Sequence, residues 1–167
     1  IPSGIFYAGC TCLIANGVVI DPAAFLSELE TLKRAGISVS NLFISDRAHV
    51  IMPYHILLDG LEEKSRGKGA IGTTLKGIGP AFVDKIARMG IRVCDLLDKD
   101  NFKNRLSTVL EYKNNMLVKL YGAPPLALDE VYQKYIQYGE QLSPFVRETD
   151  VIMREALKKG EMVLLEG

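Results

Sequence analysis

The stretch from Thr11 to Ser45 constrains the fold more than any other, because two short apolar segments bracket one long amphipathic segment. Thr11 to Ala15 is mostly apolar and runs into Asn16-Gly17, a strong turn dipeptide, after which Val18 to Ile20 resumes a strand pattern. A hairpin or a kinked strand is expected there. Asp21 can cap a helix, Pro22 presets φ at its first position, and Phe25, Leu26, Leu29 and Leu32 recur at helical spacing until Gly36. Leu42, Phe43 and Ile44 then form the continuous apolar run of a buried strand over Asn41 to Ser45. Strand, helix and strand in that order imply an α/β layer closed by a crossover connection.

The rest of the chain reads as mainly helical. Pro53 opens a helix to about Arg66, with Ile56, Leu57 and Leu61 expected inward and Glu62, Glu63 and Lys64 outward. A second helix is expected from Pro80 to Gly90, with Phe82, Ile86 and Met89 on one face. Ile91 to Leu97 leads into long helices over Asp98 to Tyr121, Asp129 to Phe145 and Glu148 to Lys159, broken by Gly122-Ala123-Pro124-Pro125 and by Ser143-Pro144. Met162 to Leu165 returns to a strand pattern. The expected organisation is a single segment: a strand and helix part over 1–97, a helical part over 98–160, and a returning strand over 161–167. No repeat or low-complexity tract interrupts it.

Composition removes several function classes. Twenty basic and twenty acidic residues leave a formal net charge of zero, so no general attraction to nucleic acid or to a membrane surface is expected. Cys10, Cys12 and Cys94 are three cysteines without a CxxC pair, which argues against a disulfide framework or a zinc site and favours a reducing, cytoplasmic compartment. No uninterrupted apolar run is long enough for a transmembrane helix, and no charged segment precedes an apolar stretch as in a signal peptide. The abrupt start at Ile1-Pro2-Ser3-Gly4 and the stop at Leu165-Glu166-Gly167 read as cut edges of a longer sequence.

Composition marks one stretch as special: Gly67, Gly69, Gly72, Gly77 and Gly79 fall within thirteen positions, too many for a regular element. GKGAIG, Gly67 to Gly72, matches the GxGxxG dinucleotide fingerprint, but a helix precedes it and more loop follows, where that motif needs a strand before and a helix after. Gly67 and Gly72 also have the P-loop spacing, yet the lysine required after the second glycine is replaced by Thr73. A third reading is an anion-binding loop, in which glycines admit close backbone N–H groups and Thr73 and Thr74 donate hydroxyls. From pattern alone this reading and a mobile surface connection stand even.

The wider segment IGTTLKGIGPAFVDKIARMGIRVCDLL, Ile71 to Leu97, resembles the signature region of the adenylosuccinate synthetase family. That block reads GTT, two variable residues, GIGPAY, then a K-x-A-R helix and a G-[IL]-R-V strand; here Leu75 stands where glycine or lysine is common, and Phe82 where tyrosine is frequent. IPSGI at Ile1, ANGVVIDPAAF from Ala15, ISDRAHVIMPYH from Ile44 and the terminal VLLEG are similar to the family in the same order. The resemblance implies a P-loop-NTPase-like, mostly parallel-sheet fold of which this chain is a largely helical portion.

It also implies an activity. Family members join IMP and L-aspartate with GTP and Mg²⁺, giving adenylosuccinate, GDP and phosphate; the purine 6-oxygen is phosphorylated because phosphate leaves far better than oxide. The resemblance puts Thr74 on the IMP 5′-phosphate, with Gly72 and Thr73 shaping the loop, and Arg88 on IMP bound to the neighbouring subunit of a homodimer. Lys76 and Arg92 are weaker candidates that surface solvation explains adequately. The family's catalytic residues, its GTP phosphate loop and its magnesium ligands are expected outside these residues, so the chain alone is expected to be inactive. A non-catalytic helical interaction module derived from the family is the competing expectation. His49 and His55 have the wrong spacing for a metal site on one helix turn, and His55 is expected to be a hydrogen-bonded structural histidine.

Overall fold

The computed structural model describes residues 1–166. Strands β1 (Cys12–Ile14), β3 (Leu42–Ser45) and β5 (Val146–Arg147) form a parallel sheet in the order β1-β3-β5. Two shorter strands, β2 (Val19–Ile20) and β4 (His49–Val50), pair in parallel beside it. The register sets Cys12 opposite Leu42 and Ile14 opposite Ile44. Helix α1 (Pro22–Arg34) supplies the crossover for both pairings, as parallel strands require.

Local chemistry sets the bounds of α1. The Asp21 Oδ1 accepts from the Ala23 and Ala24 N–H groups at 2.9 and 3.3 Å, and Pro22 occupies the first turn, where no N–H is needed. At the other end Gly36, at φ +74°, lets the Ile37 N–H return to the Leu32 carbonyl. Asn16-Gly17 forms a turn closed by the Val18 N–H on the Ala15 carbonyl, but the chain does not double back. The kink forms and the hairpin does not, because β1 and β2 each find a parallel partner, β3 and β4, across the α1 crossover.

Helices α2 (Pro53–Ser65), α3 (Ile78–Ile86), α4 (Val93–Leu97), α5 (Lys99–Tyr121), α6 (Leu128–Leu142) and α7 (Thr149–Lys158) complete the fold. The core joins Leu42 and Ile44 of β3 to Phe25 and Leu29 of α1, Phe102, Leu106 and Leu110 of α5, and Tyr135, Ile136 and Leu142 of α6. Tyr135 carries its hydroxyl into this core and donates to the Ile51 carbonyl at 2.9 Å. None of the described helices is long and apolar enough to cross a membrane.

Three expectations change. The buried face of α2 is Tyr54, His55, Leu58 and Asp59, while Ile56 and Leu57 face solvent; polar partners on α3 and the loop before it, rather than hydropathy, set the rotation of this helix. α3 starts at Ile78 and buries Ala81 and Asp84, leaving Phe82, Val83 and Ile86 exposed. Residues 161–166 form no strand, and Met162 is 99% exposed; a strand exists only through a ladder partner, and none of the described strands pairs with this segment. Gly167 lies outside the described residues.

Candidate functional site

The glycine-rich stretch folds as a short 3-10 turn, Gly67–Gly69, followed by an irregular loop that ends where α3 begins. Gly72 (φ +78°), Leu75 (φ +57°) and Gly77 (φ +76°) are left-handed, so the loop reverses direction repeatedly and cannot continue either helix. Gly77 is indispensable on steric grounds: a Cβ there would stand 2.8 Å from the backbone of both His55 and Ile56. Its N–H donates to Asp59 Oδ2 at 2.9 Å.

At the other end of the loop the Gly72 N–H donates to Glu63 Oε1. This bond holds the Glu63 carboxyl below the usual carboxylate range, with further help from the Ile71 N–H, Arg66 and the Thr73 N–H. Between these two anchors Thr74 is exposed. The Thr73 Oγ1 is buried and has no hydrogen-bond partner. Lys76 is exposed beside Thr74.

Arg88 follows the C-terminal end of α3 and is left-handed at φ +61°. Its turn is held from below: Arg105 of α5 donates to the Gly90 carbonyl at 2.7 Å and to the Arg88 carbonyl at 3.4 Å. Among the described residues the Arg88 guanidinium makes no hydrogen bond or ion pair, and the residue is exposed. Thr74 and Arg88 therefore flank α3 at opposite ends, separated by a nine-residue helix, which at 1.5 Å per residue spans about 13 Å. Arg92 is exposed and bridges to His49 through its backbone.

A buried polar chain underpins this helix. His55 Nε2 meets Asp84 Oδ2 at 2.9 Å, and Lys113 Nζ of α5 meets Asp84 Oδ1 at 2.5 Å. The His55 Nδ1 accepts from the Met52 N–H at 2.9 Å, so it carries no proton and the ring is the neutral Nε2–H tautomer that donates to Asp84. Burial accordingly pushes His55 below its ordinary value, against the pull of the Asp84 carboxylate. Burial would raise Asp84, but the bonds from His55 and Lys113 outweigh it and hold the carboxyl low. Lys85 of α3 adds a tie to the β1–β2 turn, donating to the Asn16 and Gly17 carbonyls at 3.1 Å each.

The structure thus assembles Gly72, Thr73 and Thr74 in one loop and sets Arg88 apart from them. Sequence reasoning passed over Asp59 and Glu63, reading Glu63 as an outward residue; their spacing of four on one helix was the only available signal. Asp84 and Lys113 are 29 residues apart, beyond any local pattern. Among the described residues no group of three or more His, Cys, Asp or Glu side chains is placed to hold a metal ion.

The family model for adenylosuccinate synthetase matches residues 1–167. The adenylosuccinate synthetase of Dehalococcoides mccartyi is 54% identical over the whole of this chain, which covers 40% of that protein. The enzyme of an Exiguobacterium species is 51% identical, again over the whole chain and 39% of its own length. The solved structure of fully ligated adenylosuccinate synthetase from Plasmodium falciparum superposes with a TM-score of 0.83 at 28% identity, covering 99% of this chain and 38% of that one. The chain therefore spans about 40% of the length of the curated relatives it matches. A family match along residues 1–167, together with the shared fold, shows that this chain belongs to the adenylosuccinate synthetase family.

Proposed function

We propose that the full-length protein containing this chain joins IMP to L-aspartate at the expense of GTP, and that these residues supply the grip on the IMP phosphate. The observation that carries this reading is the whole-chain family match, in which the GTT-x-x-GIGP block folds as a loop running into the first turn of α3, with Thr74 exposed. Thr74 donates its hydroxyl to a phosphate oxygen, and Gly72 and Thr73 set the backbone that aims it. Magnesium bound elsewhere in the protein supplies charge neutralisation on the GTP phosphates. GTP, aspartate and the groups that move protons bind outside these residues, so residues 1–167 alone have no turnover.

The enzyme acts as a homodimer in which Arg88 reaches the IMP of the neighbouring subunit. Two features support this. Arg88 stands at the opposite end of α3 from Thr74, with its guanidinium unpaired among the described residues. The face beside it is apolar, with Val83 65% and Ile86 80% exposed, a surface of the kind that a second chain or another part of the longer protein covers. A cytoplasmic setting accords with three free thiols, at Cys10, Cys12 and Cys94.

The test is steady-state kinetics of the full-length protein with IMP, aspartate and Mg-GTP. Adenylosuccinate formation is expected from the wild type. Arg88→Leu is expected to raise KM for IMP by about tenfold or more, a lost charge-assisted bond to phosphate, with little change in thermal stability because its guanidinium has no partner among the described residues. An unchanged KM in the intact dimer would remove Arg88 from the site.

A further inference from the structure

The loop before α3 is tied at both ends to one face of one helix. Its start rests on Glu63, which takes the Gly72 N–H. Its end rests on Asp59, which takes the Gly77 N–H at 2.9 Å and is itself buried. Asp59 and Glu63 are four residues apart on α2, so the two carboxylates lie one above the other.

Like charges at that spacing repel and weaken a helix. The arrangement is sustained by what each carboxylate receives: loop amides at both, and at Glu63 also the Arg66 guanidinium at 3.2 Å. A second observation points the same way. Leu75, in the middle of the arch, holds a left-handed backbone at φ +57°, a conformation that a branched, non-glycine residue keeps only where its surroundings impose it.

We propose that Asp59 and Glu63 are positioning residues: a two-carboxylate clamp on α2 that engages the amides at both ends of the loop and so presents Thr74 to the phosphate of a nucleoside monophosphate. This rests on the proposed phosphate grip for its function, and on the geometry alone for the clamp. It has a specific consequence. The Gly72 N–H already serves a protein carboxylate, so it is not free for the phosphate, which is met by the Thr74 hydroxyl.

The test uses the full-length protein with Glu63→Ala and Glu63→Gln, read by amide hydrogen exchange over residues 70–78 without ligand and by kinetics in IMP. In Glu63→Ala, exchange at Gly72 is expected to accelerate about tenfold, and KM for IMP to rise about tenfold with kcat within about twofold. Glu63→Gln, whose amide oxygen still accepts from the loop, is expected to recover most of both. Unchanged exchange in Glu63→Ala would overturn the clamp. So would a lowered KM, which would make Glu63 a stand-in that phosphate must displace. A wild type that exchanges slowly but has no affinity for IMP would sink the phosphate reading while leaving the clamp in place.

Discussion

At the scale of single residues, the loop illustrates how unequal five glycines can be. Gly72 has open space around its Cβ direction and needs only a permissive φ, whereas Gly77 combines φ +76° with backbone atoms of His55 and Ile56 at 2.8 Å. Gly36 offers an internal control, with φ +74° and nothing within 4 Å. Gly36→Ala is expected to cost about 1 kcal/mol, the price of a left-handed alanine. Gly77→Ala is expected to cost at least about 2 kcal/mol, because α2 and the start of α3 must also separate. Denaturant midpoints of the two variants in the full-length protein check the difference; equal losses would mean that Gly77 is constrained only by its φ. Nothing in the local spelling separates the two glycines, since the atoms that crowd Gly77 come from His55 and Ile56 on the preceding helix α2.

At the scale of elements, α2, α3 and α5 meet through His55, Asp84 and Lys113, all of them buried. Such a chain is worth little relative to an apolar replacement, but removing one member strands the others without water. Asp84→Asn and Lys113→Met are each expected to destabilise the protein by about 3 kcal/mol. The double variant is expected to lose less than the sum of the two by at least about 1 kcal/mol, because it removes the pair rather than half of it. Strict additivity in urea unfolding would show that the contact does not couple the helices. The expected inward face of α2 failed for the same reason: Ile56 and Leu57 satisfy the apolar period, but His55 and Asp59 have partners to reach and rotate the helix toward them. The α1 helix, capped by Asp21 and ended at Gly36, needed no such partner and was legible throughout.

At the scale of the whole molecule, the neutral buried His55 makes stability depend on pH in a direction that can be worked out. Its folded value lies below the ordinary 6.5, so between the two values the unfolded chain binds the extra proton and unfolding is favoured as pH falls. Its contribution is complete above about 6.5 and is lost progressively on acidification. His49, half-buried and held low first by burial and then by Lys85 and Arg92, acts with the same sign. Thermal stability of the full-length protein is expected to fall from pH 7 to pH 5, and His55→Gln to flatten that slope, leaving the part due to His49. A slope unchanged in His55→Gln would place the titration elsewhere. The same neutral imidazole keeps α3 aligned between the loop at its start and Arg88 at its end.

Strand, helix and strand over the first 45 residues, the bounds of α1 and α5, and the family block from Ile71 to Leu97 follow from local information: caps, period and motif are written within a few residues of where they act. The glycine-rich loop belongs to the same class as a location, since the spacing of its glycines forbids a helix or strand. Its character does not. That Gly72 leans on Glu63, that Gly77 is pressed against His55, that Arg88 stands a helix away from Thr74, and that 161–166 form no strand all depend on what other elements bring alongside. Hydrogen bonds, steric contact and ladder pairing are relations between distant segments, and only the packed chain supplies both partners.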